Sequence, residues 1–169
     1  NNLKIIDINV EERPTGEISA GAGVGTSGGT IAFNIKENNW LGQGKSVGLE
    51  IQADEESLIG DFSYTDPNYN FLGNSITYSF LSERNDKPDL GFENSIIAAA
   101  VGTSFEQYKD IKVNLGLKAS HDDLQTEDSA SASLKKQNGT YSELTGNYGF
   151  TFDKRDKAFM PTSGSIFSF

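Results

Sequence analysis

Cysteine is absent from the 169 residues, so no disulfide framework, thiolate zinc site or cysteine nucleophile can be built, and the redox compartment stays open. Histidine occurs once, at His121, which excludes multi-histidine metal centres and leaves one imidazole for any hydrolase triad. Long apolar runs are also missing. The longest, Ile96 to Val101, has six residues, whereas a membrane helix needs about 18. Asn1 to Glu12 lacks the basic start, apolar centre and small-residue end of a secretion signal. Basic charge is scarce: 14 Lys and Arg against 24 Asp and Glu leave a net charge of −10, which argues against nucleic acid as a partner. Methionine and tryptophan occur once each, while 18 glycines and 11% aromatic residues give a composition of sheets and turns.

The period that is present is two. Ile31, Phe33 and Ile35 alternate with Ala32, Asn34 and Lys36, and Val47, Leu49 and Ile51 with Gly48, Glu50 and Gln52. Leu58 to Thr65, Ser75 to Phe80, Ile111 to Lys118 and Leu144 to Phe152 repeat the pattern. Each reads as a strand with one greasy and one polar face. With Glu17 to Val24, Glu93 to Thr103 and Ser165 to Phe169, this predicts nine strands in an antiparallel meander with short turns. No stretch competes with a helical period.

Alternation fits either a soluble sandwich, apolar face inward, or a membrane barrel, apolar face toward lipid. The turns help to separate them, because a meander sends alternate turns to opposite ends. One set, Asn39–Gly44, Pro67–Gly73, Ser104–Asp110 and Lys154–Gly164, carries Trp40, Tyr69, Phe71, Phe105, Tyr108 and Phe159. The other, Gly25–Gly29, Asp54–Glu56, Asn85–Phe92 and His121–Tyr141, is mainly acidic and polar. Aromatics gathered at one end favour a membrane girdle, which a sandwich has no reason to build. The last polar loop is long for a compact domain, and long loops opposite short turns suit an outer-membrane barrel.

Chemical motifs fail on inspection. Gly23-x-Gly25-x-x-Gly28 matches a dinucleotide fingerprint, but an alternating strand follows it where a helix is required. Gly44-Lys45-Ser46 lacks the glycine that a phosphate loop needs at position 39, which is Asn39. His121-Asp122-Asp123 with Glu127 and Asp128 reads as a solvated loop before a divalent-cation site. Asn138-Gly139-Thr140 fits a glycosylation acceptor and equally a tight loop. No catalytic residue, metal site or cofactor is expected.

More informative is Phe152-Asp153-Lys154-Arg155-Asp156-Lys157-Ala158-Phe159-Met160-Pro161-Thr162-Ser163-Gly164. A strand ends, Arg155 lies between Asp153 and Asp156, whose carboxylates can fork onto its guanidinium, and Pro161 and Gly164 set the backbone for a return strand. Its companions are Glu12-Arg13-Pro14-Thr15-Gly16, Asn38-Asn39-Trp40-Leu41-Gly42-Gln43-Gly44 and Asp66-Pro67-Asn68-Tyr69. In that order and in register with the strands, the four segments resemble the BamA family of outer-membrane assembly proteins over essentially the whole chain.

The resemblance implies that residues 1–13 are the last strand (Leu3 to Glu12) of a periplasmic POTRA module with its linker. It implies that residues 14–169 are the N-terminal half, about eight or nine strands, of a transmembrane β-barrel of roughly sixteen. The turns bearing Trp40, Tyr69 and Phe159 would face the periplasm. Earlier modules, the second half of the barrel, the long inward loop with its arginine motif and the closing strand are missing, so the segment reads as an excerpt. The resemblance further implies that the first strand, Glu17-Ile18-Ser19-Ala20-Gly21-Ala22-Gly23-Val24, pairs with the C-terminal strand of an unfolded barrel precursor. Eight residues would project to only about 19 Å at a tilt of about 45°, short of the roughly 25 Å apolar band, so thinned lipid is expected beside it. Gly21 and Gly23 weaken its hold on a closing partner. Membrane lipid, lipopolysaccharide and accessory lipoproteins are the other expected partners, in the bacterial outer membrane. A sister transporter exporting a polypeptide through its lumen is the alternative, and a soluble β-sandwich binding protein a more distant one.

Overall fold

The computed structural model describes residues 9–11, 13–25 and 28–169. Most of the strand expected over Leu3 to Glu12 lies outside the described residues. The rest form one nine-stranded antiparallel meander, each strand beside its sequence neighbour. The strands are β1 (Gly16–Gly25), β2 (Gly28–Trp40), β3 (Lys45–Ala53), β4 (Ser57–Asp66), β5 (Ser75–Lys87), β6 (Phe92–Tyr108), β7 (Ile111–Thr126), β8 (Gly139–Asp153) and β9 (Ile166–Ser168). A 3-10 turn at Pro88–Leu90 and a four-residue helix α1 (Ala132–Lys135) sit in the loops. None of the described strands pairs β1 with β9, so the sheet is open.

The register carries the two-faced pattern across every strand. Directly opposed residues share a face, and one such row runs Ile18, Ile35, Leu49, Phe62, Phe80, Ala99, Ala119, Leu144. The row beside it, on the other face, runs Ser19, Asn34, Glu50, Asp61, Leu81, Ala98, Ser120, Glu143. Among the described residues the apolar face packs on nothing: only Ala98 and Ala130 are buried hydrophobics, and Phe33, Tyr78 and Leu115 are exposed. A soluble sandwich would bury that face against a second sheet, and here there is one sheet. The greasy face is solvated by lipid.

The position of the apolar residues gives the strand tilt. On β1 the outward apolar run is Ile18 to Val24, centred on Gly21, and on β8 it is Leu144 to Phe152, centred on Tyr148. The ladder carries Gly21 through Ala32, Gln52, Ile59, Glu83, Ile96 and Asp122 to Tyr141. The band therefore slips 148 − 141 = 7 residues over seven strand steps. One residue of ~3.3 Å per ~4.8 Å step is a tilt of about 35°, within the range of membrane barrels. A horizontal lipid belt crossing tilted strands produces this diagonal.

Several strand boundaries differ from the sequence expectation, those of β1 and β7 with the most consequence. Strand β1 has ten residues, and at that tilt it projects to roughly 27 Å, so the first strand is not short. Its apolar side chains are what is thin: Ile18, Ala20, Ala22 and Val24. Strand β7 continues to Thr126 and takes His121, Asp122 and Asp123 out of the polar loop, because ladder pairing down to Phe92–Thr126 needs no apolar side chain. The remaining loop, 127–138, leans on the 3-10 turn, where the Glu127 amide donates to the Gly91 carbonyl at 2.8 Å.

Candidate functional site: the free edge of the first strand

All eight residues expected to pair with a client, Glu17 to Val24, lie in β1, and every residue of the strand is exposed. One side of β1 is laddered to β2 from Gly16–Glu37 to Gly25–Gly28. Its other side has no partner among the described residues, and in an antiparallel ladder alternate residues turn both backbone groups that way. A Cβ built on Gly21, Gly23 or Gly25 would meet nothing within 4 Å. Within the described sheet the glycines are not demanded by sterics, and they leave the strand thin. A groove of about 960 Å³ opens at the Gly16 end, lined by Arg13, Ile18, Ile35, Glu37, Trp40 and Leu41 among others.

The linker before β1 is tied to β2 by residues that the sequence reading missed. Thr15 donates its hydroxyl to Glu37, and its carbonyl accepts from the Asn38 amide at 3.3 Å and the Asn38 side chain at 3.2 Å. Period two places Glu37 in the outward row opposite Val47, so alternation alone gave no sign of this role.

The turn residues gather at the end where β1 begins. Asn39 and Trp40 close β2, and the Asn39 side chain accepts from the Gly44 amide at 2.6 Å while its carbonyl accepts from Gly42 at 2.9 Å, with Leu41 between. Asp66 ends β4, accepts from the Asn68 amide at 3.0 Å across Pro67 and pairs with Lys45 at 3.4 Å. Tyr69 donates its amide to Asn74 at 3.1 Å. In the last turn Arg155 does not bridge two carboxylates. Its Nε and Nη2 fork onto Asp153 alone, at 2.9 and 2.7 Å. Asp156 instead accepts from the backbone amides of Thr162 and Ser163 at 2.9 and 3.1 Å and from the Thr162 hydroxyl at 2.7 Å. The division has a geometric cause: the guanidinium forks onto its near neighbour and turns Nη1 to the Ala158 carbonyl at 3.4 Å, while the return past Pro161 offers amides to Asp156. These bonds, the Thr162 hydroxyl first, hold the Asp156 carboxyl below the usual carboxylate range.

The acidic run is divided between the two faces of β7. His121 lies on the outward face opposite Ser142, with Nδ1 and Oγ 2.9 Å apart, and Asp122 points to the other face opposite Tyr141. Among the described residues no three His, Cys, Asp or Glu side chains converge as a metal site.

Comparison with known proteins follows the same lines. Residues 39–169, well over half of the chain, match the Omp85 superfamily domain. The chain is 27% identical over 165 residues to the outer membrane protein assembly factor BamA of Neorickettsia risticii, and 26% identical over 181 residues to that of Neisseria meningitidis serogroup B. Each alignment covers 95% of this chain but only 22% and 23% of the relative, so the chain spans under a quarter of their length. The crystal structure of BamA from Haemophilus ducreyi lacking POTRA domains 1–3 superposes with a TM-score of 0.60 and 25% identity, covering 92% of this chain and 33% of that one. With its open antiparallel meander, tilted strands and lipid-facing band, the chain belongs to the Omp85 superfamily, as the barrel portion of a BamA-type protein of the bacterial outer membrane.

Proposed function

We propose that the parent protein is an outer-membrane protein assembly factor, and that β1 is where an unfolded barrel precursor pairs and is templated. The observation that carries this is the glycine-bearing β1 at the outer edge of the described sheet, whose Gly21, Gly23 and Gly25 set no side chain against a neighbour, beside a lipid-solvated outward face. Each backbone N–H or C=O left unpaired in hydrocarbon costs about 1 to 3 kcal/mol or more, so such an edge seeks a strand. A partner held by few side-chain contacts is exchanged readily, and a client's last strand adds by the same main-chain bonds. Insertion is driven by burial of the client's own apolar face, with no covalent step. Residues 1–13 belong in this reading to the end of a POTRA module and its linker, with the turn motifs of Asn39–Gly42, Asp66–Tyr69 and Asp153–Gly164 on the periplasmic side. Accessory lipoproteins on that side and lipopolysaccharide at the acidic loops complete the set of partners.

Full-length protein carrying Ala22→Cys, mixed with a precursor bearing a cysteine in its last strand, should yield a disulfide-linked adduct of the two. Cross-links formed only with the protein's own closing strand, across a scan of β1, would sink the pairing role.

A further inference from the structure

Among the described residues four non-glycine residues have left-handed backbone, and each turn at the β1-start end holds one: Leu41 at φ 55°, Phe71 at 60°, Asp110 at 67° and Met160 at 49°. Among the described residues at the opposite end, only the glycines Gly28, Gly91 and Gly139 take positive φ. Asp tolerates this region, but for a large apolar residue it is strained and persists only where something favours the side chain's position. Packing within the chain does not: Leu41, Phe71 and Met160 are 76%, 90% and 72% exposed, and the adjacent Leu72 and Phe159 are exposed too.

The surface they form is continuous with the lipid-facing band. Tyr69 lines a small groove with Ile76, Val101 and Leu115 of the outward face, and Trp40 and Leu41 line another with Ile18 and Ile35. The charges of these turns balance, with Lys45, Lys109, Lys154, Arg155 and Lys157 against Asp66, Glu106, Asp110, Asp153 and Asp156, so the fit to a phospholipid leaflet rests on the apolar tips and their continuity with the lipid-facing band. Apolar tips on three hairpins, spread over six strand spacings or roughly 29 Å, match a flat leaflet.

We propose that Leu41, Phe71 and Met160, with Leu72 and Phe159, are wedges that seat in the adjoining phospholipid leaflet, held there by strained turns and setting the height of the barrel in the membrane. The β6–β7 turn holds Asp110 at its left-handed position and carries no such wedge. This inference stands apart from client pairing.

Spin labels on Leu41→Cys, Phe71→Cys and Met160→Cys in full-length protein, in phosphatidylethanolamine and phosphatidylglycerol vesicles, report depth by collision with oxygen and with a water-soluble nickel complex. The three labels should favour oxygen over nickel by at least about threefold relative to a Lys109→Cys label. Nickel accessibility equal to that reference would overturn the proposal, as would protection from both reagents, which would mean a protein covers the tips. Should a label prevent folding, Leu41→Asn, Phe71→Asn and Met160→Asn decide: in detergent each should leave Tm unchanged or raise it by about 2 °C, because asparagine relieves the backbone. A fall of several degrees would mean that the side chains pack within the protein, contradicting the assignment.

Discussion

Replacing both Gly21 and Gly23 by valine should slow client insertion roughly tenfold while making the barrel harder to unfold. A Cβ at either position meets no atom of the described sheet within 4 Å, so no neighbour blocks the substitution. Gly21 faces Ala32 and Gly23 faces Thr30 across the β1–β2 ladder, where valine gains cross-strand contact and loses the backbone freedom of glycine. Each change adds about 1 kcal/mol to strand order. If exchange at the free edge limits insertion, about 1.4 kcal/mol of added seam stability is a factor of ten in rate. Insertion of a precursor into vesicles, timed alongside thermal unfolding, checks both halves. A stiffer seam with an unchanged rate would mean that β1 does not open on the pathway.

The second large effect is expected at the last turn. Gly164 has φ 94°, and a Cβ there would lie 2.1 Å from the Lys154 carbonyl oxygen and 2.8 Å from the Arg155 Cα. Both neighbours are backbone and cannot swing aside. The clash also strikes the loop where Asp153 grips Arg155 and Asp156 gathers the Thr162 and Ser163 amides. Gly164→Ala should therefore cost more than about 3 kcal/mol and misplace the return strand β9. Semi-native electrophoresis of the full-length protein should show loss of the folded band; a variant that folds as the parent does would refute this turn geometry.

The strands were legible because each touches two solvents, and alternation at Ile31–Lys36 or Val47–Gln52 records that directly. The turns were legible through Asn39, Asp66, Pro67, Pro161 and Gly164, whose side chains or rings fix the backbone locally. What stayed hidden is what polar residues do once a ladder is running. Strand β7 carries His121, Asp122 and Asp123 because paired neighbours extend it beyond the apolar band, and no hydrophobic signal marks that end. Bulges between Glu37 and Trp40 and between Glu106 and Tyr108 shift the register without a glycine to announce them. Leu41, Phe71 and Met160 contradict local propensity outright, since their backbone suits glycine or asparagine. At the free edge the glycines were readable in advance, but the Thr15–Glu37 tie needed the fold.

The account rests on which solvent meets the alternating residues. In full-length protein inserted into bilayers with brominated acyl chains, fluorescent labels at Phe33, Leu49, Tyr78 and Leu115 should be quenched. Labels at their neighbours Asn34, Glu50, Ser79 and Asn114 should remain bright. Equal quenching of both sets, or none in either, would contradict a lipid-facing sheet and the edge chemistry built upon it.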